Sequence, residues 1–290
     1  MQTYLDCYPC FLRQALEAAR MATEDTETVR RALDGTLEIL QHIDLHSTPP
    51  EIGAKVHRLV RDVTGHPDPY RAIKRTCTEH ALALYPALAK RVSASKDPFA
   101  TAARLAIAGN IIDLGVPDAP FDRDALSDDI EDVLQRPLTV DAMELLRSEI
   151  DKSDQVLYLA DNAGETVFDR LFIEQIDAPV TYVVKATPVL NDAVMDDALQ
   201  AGLDQVATVI TNGYEAPGTL LEHAPASLHE EFERADVIIS KGQGNFEALS
   251  ATPGRVFFLL RAKCAVIARH LGLPQGSLIL KRSEAWPSER

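Results

Sequence analysis

The chain has 290 residues, 46% of them apolar, and its 44 acidic against 29 basic residues give a formal net charge of -15. That length is long for one compact unit and comfortable for two lobes. The charge excludes a binder of nucleic acid or of an anionic membrane unless basic residues are gathered locally, and the sequence shows no such cluster.

The opening "MQTYLDCYPCFLRQALEAAR" has no basic segment leading into an apolar core of signal-peptide type. No later stretch offers the roughly 18 consecutive apolar residues that a membrane helix needs. A soluble, cytoplasmic protein is the expectation. Four cysteines in 290 residues are too few for a disulfide scaffold, so they are expected to be mostly reduced.

From residue 1 to 150 the texture is helical. "FLRQALEAARMA", "TVRRALDGTLEILQHI", "EIGAKVHRLVRDVT", "TEHALALYPALAKRV" and "PFATAARLAIAGNIIDLG" carry apolar residues at steps of three and four, with no sheet expected. "HSTPPE" and "TGHPDPY" supply capping and turn residues at helix borders.

From 151 to 290 short β-rich runs, "QVLYLA", "PVTYVVKA", "QVATVIT", "DVIIS", "RVFFLL" and "SLILK", alternate with helical segments. The predicted class is therefore α/β: a helical N-terminal lobe, then a Rossmann-like, three-layer α/β/α lobe around a mostly parallel sheet. In such sheets ligands collect at the carboxyl ends of the strands, where the topology changes direction.

Polar residues stand at three of those ends. The first strand stops at Asp161-Asn162, followed by Ala163-Gly164-Glu165; the second leads to Asn191-Asp192, which either cap a helix or face a ligand. The fourth ends in "KGQGNFEAL", where Gly242 and Gly244 permit close backbone approach. A helix expected from about Asn245, with Lys241 beside its N-terminus, makes a cradle for phosphate or carboxylate. The third glycine of a dinucleotide fingerprint is missing, Glu247 standing in its place, and the lysine precedes the glycines, unlike that of a P-loop. Asp161, Asn162 and Asp192 offer hard oxygen donors suited to Mg, Mn or a similar divalent ion. A metal and a lysine would also invert the local field of an acidic protein enough to hold an anionic phosphate.

With "LADNAGE", "VVKATPVLNDA", "TNGYEAPGT", "DVIISKGQGNFEAL", "LLRAKCAVIARHLG", "TGHPDPYRAIK" and "AIAGNIID" in view, the chain resembles the metal-dependent damage-control phosphatases, in their prokaryotic branch. The resemblance runs from Cys7-x-x-Cys10 to the last strand. It implies hydrolysis of phosphate esters of small metabolites, such as sugar phosphates or cofactor intermediates, damaged ones included, with Mg, Mn, Co or Ni as cofactor. By it Asp161, Asn162 and Asp192 match the metal ligands, Lys241 the phosphate-binding lysine, and Asn110 and Asp113 a motif reaching from the helical lobe. Without it, Asn110 and Asp113 read as a helix-terminal Asn and a surface or capping Asp. Glu165 either holds or deprotonates a water, or stabilises a helix N-terminus. Lys185 either faces the site or is a solvated strand-end lysine. Glu215 departs from the family pattern, where Asp is expected, in a loop that shapes substrate access.

The hydrolysis so implied is direct attack by water, with Asp161 or Glu165 guiding it and Lys241, Gly242, Gly244 and Asn245 neutralising phosphate charge; Asp161 would be the nucleophile of a covalent route. Two other readings stand beside it: a methyltransferase-like group transfer, although the usual glycine-rich turn after the first strand is missing, and a non-catalytic module binding a phosphorylated metabolite. Cys7 and Cys10 are either packed thiols or part of a metal or redox site. Tyr70 and Lys74 either contact substrate or are a turn residue and a helix-surface lysine. The expected partner is a small phosphorylated metabolite.

Overall fold

The computed structural model describes residues 1–109, 130–252 and 255–284. It begins with five helices: α1 (Tyr8–Ala22), α2 (Thr26–Gln41), α3 (Pro49–Thr64), α4 (Arg71–Ala94) and α5 (Pro98–Gly109). Their borders follow local chemistry. Asp25 accepts from the backbone N–H groups of Glu27 and Thr28, and Thr48 and Glu51 form a reciprocal capping box in front of Pro49 and Pro50. Gly65, at φ +68°, closes α3 in the left-handed region.

These helices serve two cores. Helices α1 to α3 pack on each other through Phe11, Ala15, Ala18, Ile52, Val56 and Val60, the alanines permitting close approach. Helices α4 and α5 instead join the sheet's core, where Leu84, Leu88, Ala102 and Leu105 share one cluster with Phe168 and Phe172.

The remaining elements are β1 (Val140–Asp141), α6 (Met143–Ile150), β2 (Val156–Leu159), α7 (Thr166–Ile173), β3 (Val180–Val184), α8 (Met195–Gln200), β4 (Thr208–Thr211), α9 (Ala226–Arg234), β5 (Val237–Lys241), α10 (Gly242–Leu249), β6 (Val256–Arg261), α11 (Ala265–Leu271) and β7 (Leu278–Arg282). Seven strands form one sheet in the order β1-β7-β6-β5-β2-β3-β4. Neighbours run parallel except for the antiparallel pair β6 and β7. All six β-rich runs are strands. The expectation of no strand before residue 150 fails at Val140–Asp141, which pairs with Ile279 and Leu280 of β7. Two residues are too few to show a period of their own.

Residues of β2, β3 and β5 are buried throughout, as central parallel strands covered on both faces must be. Their side chains alternate: Tyr158, Tyr182 and Ile239 enter one core, Leu157, Val183 and Ile238 the other. After β2 the chain builds outward through β3 and β4, then returns to place β5 on the other side of β2. The switch point therefore lies between the carboxyl ends of β2 and β5.

One close backbone contact secures that end. Gly218 has φ +126°, and a Cβ there would stand 2.6 Å from the Gly244 carbonyl oxygen, at the start of α10. Gly218→Ala should cost about 1–3 kcal/mol in urea unfolding, the scale of a residue forced into a disfavoured backbone region; an unchanged midpoint would contradict this contact.

Candidate active site

Asp161 and Asn162 leave β2 at the switch point, and a loop from β3 is laid against them. Ala193 N–H donates to the Asp161 carbonyl at 2.8 Å, and Ala163 N–H to the Asn191 carbonyl at 2.9 Å. Asn162 and Asp192 thereby form an antiparallel bridge. Asp192 caps no helix, because α8 starts three residues later with Val194 as its N-cap. Of the two readings offered for this residue, capping is removed.

Gly242 explains how the Asp161 carboxylate fits beside β5. Its φ is +77°, and a Cβ at this position would lie 1.9 Å from Asp161 Oδ2. The helix begins at Gly242 itself, earlier than the expected Asn245, so the glycines form its first turn. The N-cap residue, Lys241, makes no side-chain capping hydrogen bond at this terminus.

Asp161, Asn162 and Asp192 line a cavity of about 230 Å³ together with Gln243, Gly244 and Lys263. Burial, then the negative charges of Glu165 and Asp192, push the Asp161 carboxyl well above the usual carboxylate range, against the opposing pull of Lys263 and Lys185. Burial raises Asp192 to about 6, with Lys185 opposing and Glu165 adding to the rise. Asp192 Oδ2 is buried without a hydrogen-bond donor among the described residues, and Lys185 Nζ stands 3.6 Å from it. Lys185 is itself only 2% exposed, so it is not a solvated strand-end lysine.

Crowded, desolvated carboxylates with one oxygen left undonated are the environment a cation would relieve, and their donors are all oxygen. The residues present therefore fit a hard divalent ion. The set is two carboxylates and one carboxamide; among the described residues no group of three or more His, Cys, Asp or Glu side chains is arranged to hold a metal.

Lys241 is elsewhere than expected. Its side chain is fully buried, with Nζ 2.6 Å from Asp169 Oδ1 and 2.9 Å from Glu165 Oε2. Asp169 also accepts the hydroxyls of Tyr158 at 2.7 Å and Tyr182 at 2.8 Å. Burial alone would lower the Lys241 ammonium, but Asp169 and Glu165 outweigh it and hold the group above its ordinary value. Lys241 thus makes its ion pairs beneath the site and is not among the residues that line the cavity.

Glu165 is held in the same network: Oε2 meets Lys241 and Oε1 accepts from Asn162 Nδ2 at 2.6 Å. It orients a candidate ligand from behind and is not among the residues lining the cavity. Asn245 is also a brace: its Nδ2 donates to the carbonyls of Ala160 and Lys241 at 2.9 and 2.8 Å, and its Oδ1 accepts from Thr219 at 2.8 Å. Both N–H groups of its carboxamide are thereby engaged by backbone carbonyls. Asn110 and Asp113 lie outside the described residues.

Among the described residues, the cation that lines the cavity is Lys263, exposed just beyond β6. Sequence reading passed over it, although the strand-end rule applies to "RVFFLLRAK" as it does to "DVIISK". Cys7, Cys10 and Cys264 line the same cavity, all as free thiols. Burial raises both Cys7 and Cys10 above the ordinary thiol value. Tyr70 is buried in the α1 to α3 core, and Glu215 binds Arg58 and Arg61, each at 2.6 Å.

An α/β sheet with an oxygen-rich cleft at its switch point defines a class; comparison with known proteins narrows it. The model of the damage-control phosphatase ARMT1-like domain matches residues 3–279. A damage-control phosphatase of Pyrococcus horikoshii is 34% identical, over 98% of this chain and 99% of its own length. One from Archaeoglobus fulgidus is 32% identical, over 95% and 97%. The crystal structure of a DUF89 family protein from P. horikoshii matches with a TM-score of 0.92 at 34% identity, covering 98% of this chain and 100% of that one. The chain belongs to the damage-control phosphatase ARMT1-like family. Among the described residues no helix is long and apolar enough to cross a membrane.

The two lysines should separate in a stability measurement. Lys241→Met strands Glu165 and Asp169 and should cost about 3–5 kcal/mol in urea unfolding. Lys263→Met should stay within about 0.5 kcal/mol of the parent protein. Equal losses would contradict their assignment to core and cavity.

Proposed function

We propose that this protein is a divalent-metal-dependent phosphatase acting on phosphate esters of small metabolites, sugar phosphates or cofactor intermediates, damaged ones included. The observation that carries the reading is the convergence of Asp161, Asn162, Asp192, Lys263 and the start of α10 on one cavity. Family membership supports it.

Asp161, Asn162 and Asp192 would hold the ion, for which hard oxygen donors favour Mg, Mn, Co or Ni over softer metals. When bound, such an ion supplies charge neutralisation to a phosphoryl group and makes it a better electrophile. The protein's own groups do the rest. Lys263 attracts the phosphate and balances charge that develops on its oxygens, and the uncapped first turn of α10 offers N–H groups beside Gln243 and Gly244. Asp161 accepts a hydrogen bond from the attacking water and orients it in line with the ester oxygen. Water oxygen bonds to phosphorus, the ester P–O bond breaks, and its electron pair leaves with the alcohol oxygen, which takes a proton from solvent. Glu165 and Lys241 keep Asn162 in place from below. The cavity of about 230 Å³ suits a small ester.

Phosphate release from p-nitrophenyl phosphate and a panel of phosphorylated metabolites, assayed with Mg, Mn, Co and Ni in turn, tests the reading. Turnover should require metal, vanish with a chelator and return when the ion is restored. Asp161→Ala and Asp192→Ala should lose at least about 10²-fold in turnover, several kcal/mol of metal-derived stabilisation, while remaining folded. Lys263→Met should lower kcat/KM by about 10²–10³-fold, as removal of one preorganised charge-stabilising donor does. Full turnover in either aspartate variant, or indifference to the chelator, would overturn the reading.

A further inference from the structure

Asp192 sits on the loop 186–194, whose conformation is costly. Leu190, two residues before Asp192, has φ +48° and is the one non-glycine with positive φ among the described residues. A leucine holds that backbone only where its surroundings over-determine it. The surroundings come from the helical segment. Arg61, near the end of α3, donates from Nη1 to the Pro188 carbonyl at 2.9 Å. The Leu190 side chain packs against the α1 to α3 core. On the far flank Lys74 of α4, 2% exposed, places Nζ 3.2 Å from Asp197 Oδ2 and 3.1 Å from Asp68 Oδ2. The same Asp197 oxygen accepts the Val194 N–H at 2.9 Å, and Val194 bridges to Lys185.

We infer that Arg61 and Lys74 are positioning residues for the metal site: two cations of the helical segment grip the loop before and after Asn191-Asp192 and fix where the Asp192 carboxylate points. The inference rests on the proposed role of Asp192 as a metal ligand. Lys74 is thus not a helix-surface lysine. A buried ammonium between two carboxylates is an expensive way to gain stability, but its directional bonds specify one loop position, which packed apolar groups would specify less sharply. Arg61 acts through a backbone carbonyl, so the proline at 188 leaves that acceptor in place while removing its own N–H as a competitor for other partners.

Mn²⁺ affinity, read from the electron paramagnetic resonance of the free ion during titration of the intact protein, tests this without reliance on turnover. Arg61→Met and Lys74→Met should each weaken Mn²⁺ binding 10–100-fold, the range for partners that orient a ligand. Lys74→Met leaves Asp68 and Asp197 unpaired and carries the greater risk of unfolding. Arg61→Met does not strand its partner, because Glu215 keeps Arg58 at 2.6 Å. Arg61→Lys, which retains a donor for Pro188, should recover most of the affinity; a merely structural loss of packing would not be rescued in this way. Wild-type Mn²⁺ affinity in folded Arg61→Met would overturn the inference. Wild-type protein that binds Mn²⁺ but releases no phosphate would overturn the phosphatase reading and leave the positioning role standing, whereas failure of the wild type to bind the ion would overturn both.

Discussion

The ion pair of Lys241 with Glu165 and Asp169 is the interaction on which the carboxyl end of the sheet depends. An ammonium with no solvent exposure is tolerable only because two carboxylates and two tyrosine hydroxyls complete its surroundings. In return it fixes Glu165, Glu165 fixes the Asn162 carboxamide, and Asn162 lies against Asp161 and Asp192. The chain of contacts runs from the core between β2, β3 and α7 to the floor of the cavity. The candidate site is thereby built on the sheet and its core, where positions are held more sharply than on a free loop.

The opposite side of the cavity has a different origin. Helix α1 and the residue before it contribute Cys10 and Cys7 to its wall, α3 contributes Pro50 and Gly53, and Arg61 fastens the 186–194 loop while Lys74 fastens the start of α8 just after it. The helical region thus does two things for the sheet: it lines part of the cavity, and it supports the positive-φ backbone at Leu190, two residues before Asp192. Helices α4 and α5, packed into the core of the sheet, tie this arrangement to β2 and α7.

Much of this was legible from residue types. Alternating β-rich and helical runs specify a parallel sheet because each strand needs a crossover and each face needs cover. The strand-end rule points to Asp161, Asn162 and Asp192, and the fold brings all three to one cavity. Side-chain direction was the weak step. Lys241 has the same parity along β5 as Ile239, so alternation turns it toward α7 and Asp169, away from the cavity. That parity argument was open to the sequence; the identity of the carboxylates waiting there was not, since Asp169 is 72 residues away along the chain. The burial of Lys74 was hidden for the same reason, its partner Asp197 being 123 residues distant. Val140–Asp141 became a strand only through its register with β7.

The central claim is that a divalent ion binds where Asp161, Asn162 and Asp192 meet. Anomalous diffraction from crystals soaked in Mn²⁺ locates the ion without reference to activity. A peak within ligand distance of those three side chains is the result this account predicts. A peak elsewhere, for example among Cys7, Cys10 and Cys264, or no peak at all, would contradict it.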